Sequence, residues 1–387
     1  MIFKDRDKLL PTYIPKELPH REEQVDQLVK FYSSSFEGPE QASLKFYQIV
    51  GPVGSGKTVT VLTFGRKIEE LSKQNGYDVR HVYVNPRQHG TSKLMLFRYI
   101  VQKVDTSIFS LSLSAEELML ELLKYLNRSG KYIILIFDEV DFYLSLGKEH
   151  LVYNLTRLNE VLPEQRCNVL GVVFTARNDS YLRRLDEAEL SSLGRYYVEF
   201  SPYSASQIYN ILEKRSYEAF LPNAIEEKVL RYVADIATSP PAAGDVRFAL
   251  SILYNAGILA ENRGRTKLSL DDIREVLSVL NPSVTEEDIM YLPEEEKFVL
   301  LSLANALKHS SNAYITFDEL VSQCEVDRRL SNAKPFGLRD IVKYAQNLKN
   351  RGIIDIRSLT EIGISNVPAE GLQRFLDFLI KRLGDDR

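Results

Sequence analysis

The segment Gly51-Pro52-Val53-Gly54-Ser55-Gly56-Lys57-Thr58 matches GxxxxGK[ST] at every fixed position. It follows a β-rich run, Lys45–Val50, and leads into a helical stretch, Thr58–Leu71. In that setting the glycines let successive N–H groups curl around phosphate oxygens. The helix N-terminus adds positive dipole and the Lys57 ammonium adds a point charge. The segment from Gly51 to Val59 is therefore expected to bind ATP or ADP, with the Thr58 hydroxyl holding magnesium (Mg²⁺). A phosphate loop needs a carboxylate partner, and the apolar run Tyr132–Phe137 delivers Asp138 and Glu139 at its C-terminal end. Open α/β sheets bind ligands at that edge. Asp138 is expected to hold the water shell of Mg²⁺, and Glu139 to activate the attacking water for phosphoryl transfer. Asn178, just beyond the run Val169–Thr175, can contact the γ-phosphate or that water. Arg247, in Gly244-Asp245-Val246-Arg247 at the start of a helix, can reach the γ-phosphate and couple two domains to nucleotide state.

These residues need a scaffold that brings strand ends together. Between Leu44 and Phe200, short β-rich runs (Lys45–Val50, Val79–Asn85, Tyr132–Phe137, Val169–Thr175, Tyr196–Phe200) alternate with helical stretches, which predicts an α/β fold with a parallel sheet covered on both faces. A proline-punctuated arm (Pro11, Pro15, Pro19) precedes it and turns helical from His20. Tyr203 to Leu280 shows helical periodicity broken near Pro222 and Pro240-Pro241, which predicts a separate helical domain.

Composition narrows the function classes. In 387 residues, 44 % are hydrophobic and 26 % charged, and Gly plus Pro number 19 + 15 = 34, which excludes disordered and collagenous chains. The longest apolar run is far short of a membrane span and the N-terminus lacks a signal-peptide core, so a cytoplasmic protein without membrane partners is expected. Two cysteines and five histidines show no metal-site spacing. The net charge of −4 argues against a nucleic-acid partner for the chain as a whole. Arg328 to Arg357, however, holds eight basic and two acidic residues, 8 − 2 = +6 in thirty positions. That basic stretch lies in a module reading helix (Glu294–Leu307), helix (Phe317–Val326), helix (Gly337–Asn350) and strand (Ile353–Arg357), with Glu361–Ile364 returning as a hairpin. This is the pattern of a winged helix. Leu338, Ile341, Val342, Ala345 and Leu348 form its apolar stripe. Arg339, Lys343, Gln346, Asn347 and Asn350 fall on the opposite face, which would enter a major groove; Arg357 near the wing would touch the DNA backbone or minor groove, and Lys334 is also expected to bind DNA. A solvated basic face or a protein-docking wing is the alternative.

Loop, Asp-Glu pair, strand-end Asn178 and a helical lid opening with GDxR occur in the order found in AAA+ ATPases. With Leu10-Pro11-Thr12-Tyr13-Ile14-Pro15, Leu18-Pro19-His20-Arg21-Glu22-Glu23-Gln24 and Ser191-Ser192-Leu193-Gly194, the whole chain resembles the archaeal replication initiators of the origin recognition complex and cell division control family. The resemblance implies three domains: a nucleotide-binding AAA+ domain with its arm (1–200), a helical lid (201–285) and a winged helix (286–387). It also implies an adenine pocket lined by Tyr13, Ile14, Pro15, His20 and Arg21, with Tyr209 and Arg247 contributing from the lid; from the sequence alone the arm could equally be a strap closing the core. An inserted helix after Arg87 would touch DNA through Arg87, Thr91 and Ser92; a scaffolding role for it stays open. Its partners would be double-stranded origin DNA, a replicative helicase and other initiator paralogues, with a monomer assembling on DNA. No arginine lies within Ser191–Gly194, where such ATPases usually carry their finger, although Arg183, Arg184 and Arg195 are near, so slow, switch-like hydrolysis is expected. A regulatory ATPase whose wing binds promoters or a protein is the alternative function.

Overall fold

Strands β1 (Lys45–Val50), β2 (Val79–Val84), β3 (Tyr132–Phe137), β4 (Val169–Ala176) and β5 (Val198–Glu199) form one sheet in the order β2-β3-β4-β1-β5, every pair parallel. In this computed structural model the described residues are 1–36, 43–147, 151–162, 165–194, 197–280, 286–310, 312–331, 337–357, 361–364, 369, 372–373 and 375–376. All of β4 and nearly all of β3 are buried, which is why both read as unbroken apolar runs rather than alternating ones. Alternate residues still point to opposite faces. On one face Ile134 and Ile136 pack with Leu28 and Tyr32 of α1 (Glu22–Ser33) and Val61, Phe64 and Ile68 of α2 (Lys57–Gln74). On the other, Leu135 and Phe137 join a second core; the short α3 (Pro86–His89) follows β2. That core is built mainly from Leu96, Phe97 and Ile100 of α4 (Lys93–Val104) and Leu118 and Leu122 of α5 (Ala115–Ser129). Short helices α6 (Val140–Ser145), α7 (Leu151–Thr156) and α8 (Glu187–Leu193) complete the layer.

By contacts the chain divides into two compact units, of which the sheet unit comprises 14–207 and 244–246. The other comprises 1–13, 208–243 and 247–387. It contains most of α9 (Ala205–Ala219), then α10 (Glu227–Thr238), α11 (Val246–Asn262) and α12 (Leu270–Leu280). The N-terminal segment is held here by Phe3, which bridges Phe220 and stacks on it at 4.8 Å. Gly257 makes room, since a Cβ there would lie 2.8 Å from Phe3 Cε1. The chain continues through α13 (Glu286–Met290), α14 (Glu294–Ser310), β6 (Ile315–Thr316), α15 (Phe317–Ser331), α16 (Leu338–Asn350), β7 (Ile354–Ile356) and β8 (Glu361–Ile364). The three strands form an antiparallel sheet, β6-β8-β7.

One expectation is corrected in α16. Ile341, Ala345 and Leu348 are buried among Val299, Leu303, Ile353 and Ile362, but Leu338 and Val342 are 59 % and 49 % exposed. The three buried positions span an arc of only ~60° at about 100° per residue, and Val342 lies ~60° beyond it; Leu338 lies near its edge but on the first turn of the helix.

Candidate functional site

Between β1 and α2 the chain turns through Gly54 and Gly56 at φ 76° and 90°, left-handed values open to glycine. A Cβ on Gly54 would lie 2.7 Å from the Cα of Asp245, and one on Gly56 would collide with the Tyr203 hydroxyl. The Asp245 end of the GDVR segment thus packs directly on the phosphate loop. Lys57 Nζ donates to the carbonyls of Gly51 (2.6 Å) and Pro52 (2.8 Å), and the Ser55 hydroxyl donates to Pro52 O. The whole turn sits where the strand order reverses beside β1, the place open α/β sheets use for ligands.

Asp138, 1 % exposed at the end of β3, accepts three hydroxyl hydrogen bonds. Thr58 Oγ1 donates to its Oδ2 at 2.8 Å, Tyr83 Oη to the same oxygen at 2.6 Å, and Thr175 Oγ1 to Oδ1. Burial, reinforced by the Asp138 charge, pushes the Tyr83 phenol far up, so it stays a donor. Glu139 adopts a left-handed backbone at φ 56° and donates its N–H to Thr175 Oγ1 at 3.1 Å. Its carboxylate pairs with Arg87 Nε at 2.8 Å, and that guanidinium lies 3.9 Å over the Phe142 ring. Arg87 is aimed by its neighbours: its N–H donates to Asn85 Oδ1, Asn85 Nδ2 donates to Tyr83 Oη, and Asn85 N donates to His89 Nδ1. His89 stacks on Tyr99 at 3.8 Å, and burial lowers its pKa. The Thr58 hydroxyl and Asp138 carboxylate are hard oxygen donors at one spot, a set that suits Mg²⁺ completed by phosphate and water. Among the described residues no cluster of three or more His, Cys, Asp or Glu offers an all-protein cage.

Tyr83 and Thr175 escape a motif-based reading. Each is the next-to-last residue of a strand flanking β3, and only the register, with Phe137 opposite both Val84 and Phe174, brings them onto Asp138.

The arm is used as a brace. Arg21 is 6 % exposed; Nε donates to Ser55 O at 3.0 Å, Nη2 to Ser201 O at 2.8 Å and Nη1 to His20 O at 3.1 Å. Its guanidinium lies 4.2 Å over Tyr203. Burial lowers the Arg21 pKa and pushes Tyr203 up to about 12 against the pull of Arg21. The Arg21 donors therefore tie down the phosphate loop's own carbonyl, with Pro15 buried nearby in sequence and Ile14 and His20 half-buried. Tyr13 lies in the other unit, between Lys8 at 4.2 Å and Arg215 at 4.6 Å. Tyr209 donates to Glu213 at 2.9 Å beneath Arg231, and Arg247 is exposed on the first turn of α11, also in that unit. Asn178 is exposed and its Oδ1 accepts from the N–H and hydroxyl of Ser180, capping a short helical turn. Arg184 donates to Leu144 O at 3.4 Å, and Arg195 lies outside the described residues.

Of the residues assigned to DNA, Ser92 caps α4 by accepting from Met95 N, with Thr91 exposed beside it. Arg339, Lys343 and Gln346 are exposed along α16, and Lys334 lies outside the described residues. Three side chains are committed within the protein. Arg87 holds Glu139 as above. Asn347 donates to Glu296 at 2.8 Å, and Arg357 pairs with Asp235 at 2.5 Å while stacking 4.2 Å over Tyr314. Asn347 sits at the flank of α16 facing α14. Arg357 directly follows β7 and pairs with Asp235 of α10, so a carboxylate of the same unit reaches each first.

A family model described as an ATPase domain predominantly from Archaea matches residues 21–235, and the Cdc6 AAA+ ATPase-type lid domain matches 209–278. The ORC1-type DNA replication protein 1 of Sulfolobus acidocaldarius is 31 % identical over 320 residues, 82 % of this chain and 77 % of that one. Among solved structures, Cdc6p from Pyrobaculum aerophilum is similar over 99 % of both chains with a TM-score of 0.78 and 27 % identity. The Aeropyrum pernix ORC1 protein in complex with DNA is similar over 99 % of both chains at 0.63 and 25 %.

Proposed function

Because the chain belongs to the ORC1-type DNA replication protein family of AAA+ ATPases, we propose that it is an ATP-switched initiator that recognises double-stranded origin DNA. The observation that carries this reading is the convergence of Thr58, Asp138 and Glu139 beside the phosphate loop. In the reading, residues 1–200 bind nucleotide, 201–285 form the lid and 286–387 the DNA-binding winged helix. The Lys57 ammonium exchanges two loop carbonyls for β- and γ-phosphate oxygens, a gain because charged acceptors bind an ammonium more strongly than neutral ones. Thr58 and Asp138 would hold Mg²⁺, which would supply neutralisation of charge on the phosphates. Tyr83 and Thr175 keep the Asp138 carboxylate in place while Thr58 turns from it. Glu139 orients the attacking water once it parts from Arg87, with Asn178 and Arg247 contacting the γ-phosphate. The Arg87 clamp and the absence of arginine from Ser191–Gly194 both favour slow hydrolysis, so that ATP and ADP act as alternative states of a switch. Helicase loading and assembly with paralogues on DNA would follow from the ATP state.

The deciding experiment selects fragmented source-genome DNA with the protein at ~0.15–0.2 M salt, with ATP and with ADP, and sequences what is retained; nonspecific phosphate binding is weak there. Recurrent sites near replication origins support the reading. Promoter sites favour a regulatory role, and no enrichment refutes DNA recognition. Arg339→Ala with Lys343→Ala should weaken the selected duplex at least tenfold and leave basal hydrolysis unchanged.

A further inference from the structure

On α16 the exposed positions are Leu338, Arg339, Val342, Lys343, Gln346, Lys349 and Asn350. At about 100° per residue, Val342 lies between Leu338 and Gln346 and within ~60° of Arg339, on the side of the exposed arc that Leu338 borders. Two branched apolar side chains, 59 % and 49 % exposed, thus occupy a face otherwise built to meet phosphates and base edges. The helix's only acid is turned away: Asp340 Oδ2 accepts from Gly337 N at 3.0 Å and closes the helix N-terminus. The surroundings are basic, with Arg339, Lys343 and Lys349 exposed, while Arg351 lies 3.7 Å from the Glu296 carboxylate. An apolar patch bordered by cations matches one polyanion feature in particular, the thymine C5-methyl groups that line the major groove between acceptor-rich base edges.

We propose that Val342 and Leu338 read thymine methyl groups, making the recognised duplex dependent on thymine at two positions; this rests on the proposed DNA-binding role of α16. Four residues apart, the two side chains are separated by ~6 Å along the helix, close to two base-pair steps of ~3.4 Å. The two thymines should therefore fall within about two base pairs of each other. Arg339 and Gln346 lie together on one side of the pair and provide hydrogen bonds to adjacent purines. Lys343 and Lys349 hold phosphates and set the register.

The test uses the full chain with ATP at ~0.15 M salt and 20-base-pair duplexes enriched by it from a random pool. The tightest duplex is resynthesised with deoxyuridine replacing each thymine in turn, which removes one methyl and leaves base pairing intact. Two neighbouring replacements should each weaken binding about fourfold, the worth of one buried methyl, with the salt dependence unchanged. In Val342→Ala one of those penalties should shrink to near unity, whereas Val342→Thr, which keeps a methyl of similar shape, should retain it. Salt-dependent binding indifferent to every deoxyuridine, or penalties that persist undiminished in Val342→Ala, overturns the inference and leaves DNA recognition standing. Failure to enrich any duplex overturns both, and saturable binding of Val342 to a protein ligand alone does the same.

Discussion

Arg87→Ala should accelerate ATP hydrolysis. The Arg87–Glu139 pair closes at 2.8 Å with the two side chains 44 % and 25 % exposed, so water screens it and its worth is ~1 kcal/mol. At that value Glu139 is free of Arg87 roughly one-sixth of the time, and deleting the guanidinium frees nearly all of it. Where orientation of water by Glu139 limits turnover, the rate rises about sixfold. The gain should appear in kcat and not in KM, because Arg87 contacts Glu139 and Phe142 and no part of the phosphate loop. The assay is steady-state phosphate release at saturating ATP without DNA, alongside equilibrium binding of a fluorescent ATP analogue. Glu139→Gln is the control: binding persists and turnover disappears. An Arg87→Ala enzyme with intact ATP affinity and unchanged or reduced turnover would refute the idea that the pair restrains Glu139.

Gly54→Ala places a Cβ 2.7 Å from the Asp245 Cα at a φ of 76°, and calorimetry should show nucleotide affinity down at least tenfold; wild-type affinity would mean that the loop adapts. Arg357→Ala removes a charge-assisted bond to Asp235 and the stacking on Tyr314, about 1.4 kcal/mol or tenfold in local opening. Hydrogen exchange of the β7 amides should quicken accordingly, and unchanged protection would exclude Arg357 as a fastener of the wing. His89 has its pKa lowered from 6.5 by burial, so the fold favours the neutral ring. The stability this contributes is present above pH 6.5 and is lost as pH falls through the lower, folded-state value. An NMR titration of the His89 ring should have its midpoint below 6.5, and a midpoint above it would contradict the buried, Asn85-bonded ring.

Much of the frame is local and therefore legible in the chain alone. A phosphate loop is a contiguous stretch whose glycines answer to backbone geometry at their own positions, so Gly54 and Gly56 declare it without tertiary help. Asp138 and Glu139 announce themselves because a buried strand must be apolar up to the residue where it meets solvent. The same holds for the helix–helix–helix–hairpin order of the C-terminal module. What surrounds these groups was decided by strand order and packing. Tyr83 and Thr175 reach Asp138 only because β2 and β4 flank β3 in a given register, which no local pattern encodes. Arg87 is a basic residue in a loop until the β2–α3 turn lays it on Glu139. Arg21 and Arg357 are cations whose partners stand far away in sequence, at Ser201 and Asp235. Even the amphipathic face of α16 was legible only in outline. Periodicity marks the apolar side, but how wide an arc is buried depends on how closely α14 approaches, and that leaves Leu338 and Val342 in water. Sequence determines which residues can do chemistry because their own backbone requirements are local; tertiary structure decides which carboxylate is held, released or paired, because those distances are set between segments that only folding brings together.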